Sequence, residues 1–350
     1  MTWTDHATLS VRSTADLLSA VPYLLGFHPA ESVVVIALRG NRVVFVARGD
    51  LPGPGAAVER TEAAGHLAAI VARQGVEATT VIGYGGPERV TPAIDALTAA
   101  LARVRLPVLD ALRVTGGRYW SYVCTEPGCC PPEGTPFDGA TSQVAAAATF
   151  AGQVALPDRA ALVRQVAPVG GRQRREMRRA SRRAEERLGE LLARAPARDP
   201  RGRRALLRAG RSAVRAAMDR YLAGGQLTDD ESAWLALLLL HLPVRDHAWQ
   251  RTGGGEEHLR LWTDVLRRAE PELVPAPASL LGFAAWRAGQ GALASVAVER
   301  ALDALPDYPL ALMLADALQR GLPPSILDDW LDDERPGRPG RPGRGRGGPG

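Results

Sequence analysis

The sequence predicts an α/β N-terminal domain with a mixed sheet, followed by an all-α domain carrying a tetratricopeptide-like helical hairpin. Three observations predict it. Over residues 1–157, short β-branched runs alternate with helical stretches, the pattern of strands covered by helices. Residues 158–334 read as helical throughout. Within them, residues 278–306 place small residues at the spacing of a tetratricopeptide repeat. A third segment, 335–350, has a Pro-Gly-Arg period and no apolar residue, so it is expected to be a disordered Arg/Gly/Pro tail.

In the first domain, Ser13 is an N-cap for a helix over 15–25, with Asp16 in its first turn. The continuous run 32–38 (SVVVIAL) reads as a buried strand. Gly40-Asn41 is a tight-turn pair, so 42–48 follows as its antiparallel partner. A helix over 57–74, a strand over 79–84 and a helix over 91–104 come next, with Gly85-Gly86-Pro87 ending the strand. Strands over 108–115 and 118–124 form a hairpin about Gly116-Gly117, and a helix near 142–152 closes the domain.

In the second domain, 172–195 and 201–223 are long Arg-rich helices separated by Pro196–Pro200. Thr228 with Glu231 three residues on has the capping-box form. The helix it opens is expected to carry Trp234, Leu235, Leu238, Leu239 and Leu242 as one apolar stripe. Helices over 256–268, 278–288 and 293–305 follow. Leu281-Gly282, Ala285, Ala294, Val298, Ala301 and Pro306 match the repeat spacing, and a second unit starting at Pro309 lapses by Gly321. One and a half repeats cannot form a long solenoid.

The chain has 43 basic residues, and every one is arginine. The absence of lysine excludes a Walker-A phosphate lysine, a Schiff-base lysine and a kinase-type lysine. The +5 charge is unevenly spread: −2 over 1–160, +12 over 161–220, −10 over 221–334 and +5 in the tail. The body is therefore neutral. A basic segment followed by an acidic one suggests an internal match, with helices of opposite sign facing each other. This weighs against nucleic acid as a partner of the body and leaves the tail as its candidate site. The start has an acid at Asp5 and no basic region before an apolar run, which does not read as a secretory signal. The longest apolar run, 234–240, is far short of the roughly 18 residues of a membrane span. A cytoplasmic location without a membrane partner is expected. Three cysteines in so long a chain are not a disulfide framework.

All three cysteines fall in one loop stiffened by prolines, RYWSYVCTEPGCCPPEGTPFD over 118–138. Arg118, Trp120, Tyr122, Cys124, Cys129, Cys130, Glu133 and Asp138 form the candidate functional loop, because loops at the edge of a rigid sheet are common sites. Three readings stay open. Cys124, Cys129 and Cys130 could ligate zinc as the cofactor, with His28, Glu133 or Asp138 completing four ligands. Adjacent cysteines are awkward ligands for one ion, since neighbouring strand side chains diverge. Alternatively Cys124 pairs with Cys129 in redox chemistry and Cys130 is attacker or spare. The third reading is a braced loop whose thiols only pack.

A candidate pocket gathers residues at strand ends: His28, Asp50, Tyr84, Gly85 and Gly86. His28 could serve as ligand or base, or cap a turn. The Gly-Gly before a helix is where an α/β sheet places anionic ligands, though it lacks G-x-G-x-x-G spacing. No G-x-S-x-G, H-E-x-x-H or zinc-deaminase signature occurs.

LLGFHPAESVVVIALRG (24–40), YGGPERV (84–90), the cysteine loop and LLGFAAWRAGQGALASVAVERAL (280–302) together resemble the actinobacterial family known as domain of unknown function 4192. The resemblance runs to about Asp333 and is most specific in the cysteine loop. It implies an actinobacterial cytoplasmic protein of this layout and implies no activity. The missing catalytic motifs and the helical-repeat end lead to a first expectation: a non-enzymatic binding or scaffold protein with a protein partner. The alternatives are a small-molecule or redox enzyme using the cysteine loop, and a nucleic-acid binder using the Arg-rich helices or the tail.

Overall fold

The computed structural model describes residues 12–139, 141–195, 199 and 202–326. The chain start through residue 11 and the tail, on which two of the expectations above rest, lie outside the described residues. Secondary structure begins with α1 (Thr14–Leu25), β1 (Ser32–Arg39), β2 (Arg42–Asp50), α2 (Ala57–Ala72) and β3 (Ala78–Tyr84). It continues through α3 (Pro87–Arg103), β4 (Val108–Thr115), β5 (Arg118–Ser121), β6 (Thr135–Pro136) and α4 (Gln143–Phe150). The strands form one mixed sheet in the order β2-β1-β3-β4-β5-β6. Only the β3–β4 pair is parallel, because α3 crosses between them, and the other pairs are antiparallel.

The central strand β1 explains its own composition. Val33, Val35 and Ala37 enter a core under α2 and α3, while Val34 and Ile36 enter a second core under α1. Buried on both faces, the strand has no polar alternation to show. Ser13 caps α1 by accepting the Asp16 N–H, as its position predicts.

Element ends shift by a few residues throughout, and four departures from the sequence reading have an identifiable reason. Helix α3 starts at Pro87, not 91, since Gly86 is the cap and proline suits the first helical position. Strand β5 ends at Ser121, three residues early, because the Ser121 side chain turns the chain. β6 is a two-residue edge strand with a proline, too short to leave a pattern. The capping-box helix ends at Leu238, so Leu242 opens the next helix and is 55% exposed rather than part of the stripe.

The second half is helical: α5 (Arg159–Gln165), α6 (Gly171–Ala193), α7 (Arg203–Leu222), α8 (Asp229–Leu238) and α9 (Leu242–Arg251). After them come α10 (Glu256–Arg268), α11 (Pro275–Arg287), α12 (Gly291–Ala304) and α13 (Pro309–Gln319). The box at Thr228 is complete, with both reciprocal hydrogen bonds to Glu231 formed. One large core serves these helices, and Phe27 from the sheet half inserts into it. Helices α11 and α12 pack closely at Gly282, where an added Cβ would fall 2.8 Å from a Val298 methyl. Among the described residues, no helix is long and apolar enough to cross a membrane.

The charge match between the segments is partial. Arg174 pairs with Glu270 at 2.6 Å, Arg183 with Asp230 at 2.6 Å and Arg220 with Glu231 at 2.7 Å. Among the described residues, most other arginines of α6 and α7 are exposed and pair with no acid of the third segment. The reason is helical geometry: only the side of each helix turned to its neighbour can meet the neighbour's acids.

Candidate functional site

The three cysteines converge. The Cys124 and Cys129 sulfurs lie 3.0 Å apart and those of Cys129 and Cys130 lie 3.7 Å apart. All three fall within 4.8 Å of one another. Side chains adjacent in a strand diverge, but Cys129 and Cys130 sit in a turn. Both of their N–H groups donate to the Glu126 carbonyl, at 3.2 and 2.8 Å, which curls the backbone and brings both thiols to one side. All three thiols are free, with Cys129 exposed and the others half-buried.

The cluster organises its own charge. Thiol hydrogen bonds from Cys129 and Cys130 hold the Cys124 pKa below the ordinary cysteine value. The donors show the converse. The hydrogen bond to Cys124 raises Cys129, and it pushes Cys130 up to about 12.

Neighbouring residues shape the loop. Ser121 Oγ accepts the N–H groups of Val123 at 3.1 Å and Cys124 at 2.9 Å, and donates to Asp110 Oδ1 at 2.7 Å. The Arg118 guanidinium donates to the Glu133 and Gly134 carbonyls, both at 2.8 Å. Trp120 Nε1–H donates to the Pro132 carbonyl at 3.0 Å, and Arg113 lies over its ring at 3.6 Å. Gly134 has φ +82° and lies against the same indole, where an added Cβ would come within 2.4 Å. The Tyr122 hydroxyl meets the Thr91 hydroxyl of α3 at 2.6 Å. Arg118, Trp120 and Tyr122 thus brace the loop. Glu133 is exposed and serves through its carbonyl, while Asp138 accepts from Thr141 at 2.9 Å. Among the described residues, neither carboxylate nor His28 joins the sulfur trio.

The second set of candidates meets at one end of the sheet, where β1 begins and β2 and β3 end. Glu31, at φ +43°, pairs with Arg89 of α3, and Arg89 also donates to the Leu51 carbonyl at 2.8 Å. The Glu31 carboxylate lies beside Gly85, and Glu88 occupies the first turn of α3. The protein's own carboxylates therefore meet the positive end of that helix. His28 is exposed, and its N–H donates at 2.9 Å to the carbonyl of Leu156, in the connection between α4 and α5. Asp50 pairs with Arg48 at 2.6 Å. The Tyr84 hydroxyl is buried without a hydrogen-bond partner among the described residues, and burial pushes its pKa up. Nearer the cysteine loop, an open cleft of about 390 Å³ is lined by Arg12, Ser13, Thr14, Leu17, Thr80 and Asp110.

Sequence reasoning missed Asp110, Arg113, Ser121, Gly134 and the Glu31–Arg89 pair. Ser121 had a local signal, a serine three residues before Cys124 where its hydroxyl can close a turn. Asp110 and Arg113 lie on the neighbouring strand and come into range only through the β4–β5 register.

Sheet and bundle together define a class: an α/β layer joined to a helical array, with a trio of free thiols gathered on a braced strand-end loop. Residues 15–325 match the model of the family described as Domain of unknown function (DUF4192), and the chain belongs to that family. No curated protein and no solved structure matches the chain.

Proposed function

We propose that this is a non-enzymatic binding protein whose Cys124–Cys129–Cys130 loop holds a thiophilic metal ion, zinc first. The convergence of three sulfurs carries the reading. Zn–S bonds of about 2.3 Å put thiolates about 3.8 Å apart around a tetrahedral ion. The 3.7 Å between Cys129 and Cys130 suits this, and the 3.0 Å between Cys124 and Cys129 needs a modest opening. Three thiolates leave a fourth position for water or a donor from a partner, as suits an exposed loop. The test is metal content with a free-thiol count on protein purified without chelator. One zinc per chain is expected, and none when all three cysteines are serine. Protein that takes up no zinc and shows three freely reactive thiols would overturn the reading.

One observation favours a second reading, in which the loop is a dithiol switch. The 3.0 Å Cys124–Cys129 contact needs about 1 Å of closure to reach a disulfide bond of about 2.05 Å. Loss of two thiols and two hydrogens to a mild oxidant, with Cys130 left free, would support it.

The helical half supplies the scaffold in this proposal. We treat residues 1–157 and 158–334 as two domains, a division supported by cores that are largely separate. α11 and α12 make a tetratricopeptide-like hairpin continued by α13, a reading supported by the close approach at Gly282 and by buried Ala285, Ala294 and Ala301. A cytoplasmic location suits free thiols.

A further inference from the structure

Helices α6 and α7 each carry a stripe of exposed arginines. On α6 these are Arg175, Arg178, Arg179 and Arg182; on α7 they are Arg204, Arg208, Arg211 and Arg215. Spacings of three, four and seven residues put each set on one side of its helix. The α6 stripe lies opposite Met177, Ala180, Ser181 and Ala184, which are buried. Among the described residues, none of the eight side chains has an ion pair or a hydrogen bond. This separates them from Arg174, Arg183 and Arg220, which pair with acids of other helices. An acid follows one turn beyond each stripe, Glu186 on α6 and Asp219 on α7, and bounds it. The two helices are consecutive and meet where Leu192 packs against Gly202. Like charges four residues apart destabilise a helix, and Arg175–Arg179, Arg178–Arg182, Arg204–Arg208 and Arg211–Arg215 all have that spacing. A local cost repeated four times marks a surface kept for something other than stability.

We propose that the two stripes bind the phosphate backbone of a nucleic-acid duplex without reading its sequence. Guanidinium stays charged and meets phosphate oxygens with two parallel donors. At about 1.5 Å per residue the α7 stripe is roughly 16 Å long, against one phosphate per 3.4 Å of axis on each strand, so it spans several. An acidic protein partner would call for a buried aromatic or aliphatic anchor. No large exposed apolar residue lies within either stripe; Leu192 sits where α6 meets α7 and Leu222 at the last turn of α7. Single-stranded nucleic acid would call for a stacking platform. The only aromatic residue on these helices, Tyr221, is buried.

The test is fluorescence anisotropy of labelled DNA and RNA duplexes with the full-length chain. Arg335, Arg338, Arg341, Arg344 and Arg346 are replaced by Gln in the parent to silence the tail. Eight phosphate contacts predict a log–log salt slope of about −7 on DNA and a loss of about 10⁴-fold in affinity between 50 and 200 mM salt. The Arg175/Arg178/Arg179/Arg182→Gln variant and the Arg204/Arg208/Arg211/Arg215→Gln variant should each roughly halve that slope. These side chains are exposed, so both variants should keep the parent's circular dichroism and melting temperature. Binding to both duplexes, or to one of them, supports the proposal, and the two arms name the polymer. Four results overturn it: no salt-dependent binding by the parent, full binding by folded stripe variants, tighter binding of single strands, or equal competition by poly-glutamate. The last would reassign the surface to an acidic protein.

Discussion

Replacing Ser121 by alanine tests whether the cysteine loop is a prearranged site. The Ser121 hydroxyl accepts two backbone N–H groups, of Val123 and Cys124, and donates to the Asp110 carboxylate. The N–H bonds are partly open to water, so each contributes about 0.5–1 kcal/mol net, and the bond to the carboxylate contributes somewhat more. Water and the Ala111 N–H, which also donates to Asp110 at 2.8 Å, recover part of the loss. The balance is about 2 kcal/mol of local order at Cys124, or roughly 30-fold in metal affinity, within the range typical of residues that support metal ligands. Zinc competition against a chromophoric chelator measures this directly. Ser121→Thr keeps the hydroxyl and should recover most of the affinity. The melting temperature should move little, since the loop hangs between the four-residue β5 and the two-residue edge strand β6. Wild-type zinc affinity and wild-type thiol reactivity in the alanine variant would refute the idea that this hydroxyl sets the site.

Gly134→Ala should open the loop from its other end. A left-handed φ of +82° costs alanine about 1 kcal/mol, and its Cβ meets the Trp120 indole, adding roughly 1–3 kcal/mol. Faster reaction of the cysteines with a disulfide reagent is the readout, and an unchanged rate would count against the bracing role of Trp120. Gly282→Val should lower unfolding free energy by about 2–4 kcal/mol, because its side chain collides with Val298 where α11 and α12 cross. A denaturation midpoint equal to wild type would mean the helices are not so closely packed. Arg268→Met should cost about 3 kcal/mol in the same assay. The Arg268 side chain is only 7% exposed, pairs with Asp264 and Asp229, and donates to the Leu227 carbonyl, so its loss leaves partly buried carboxylates uncompensated. Zinc affinity should rise with pH across roughly pH 6 to 9, since a metal must displace thiol protons and Cys130 holds its proton until about 12. Calorimetry in two buffers reads the released protons, and a pH-independent affinity would argue against thiolate ligation.

The legible parts of this fold were those decided within a few residues. The Ser13 and Thr228 caps, the Gly40-Asn41 turn and the doubly buried β1 follow from local stereochemistry and composition, and each forms as its residues predict. The boundaries that moved were decided by particular caps, breaks and contacts that periodicity does not carry. Ser121 ends β5 early because Asp110 on the next strand helps hold its hydroxyl. Leu242 left the predicted stripe because the helix breaks at 239–241 before its turn would have come round. In the site, the cysteine loop stood out by the rarity of its residues, while the meeting of its sulfurs depends on a turn that no cysteine spacing specifies.

By itself the sequence determined the α/β-then-helical order, the single loop that holds all the thiols and a chemistry without lysine, because composition and short-range periodicity act before any contact forms. The tertiary structure alone decided which charges neutralise one another and which sulfurs touch. A segment count of charge suggested an internal match, but a helix presents only one side to its neighbour, and eight arginines on α6 and α7 remain turned to solvent. Charge and reactivity depend on distances through space, and those exist only once the chain has folded.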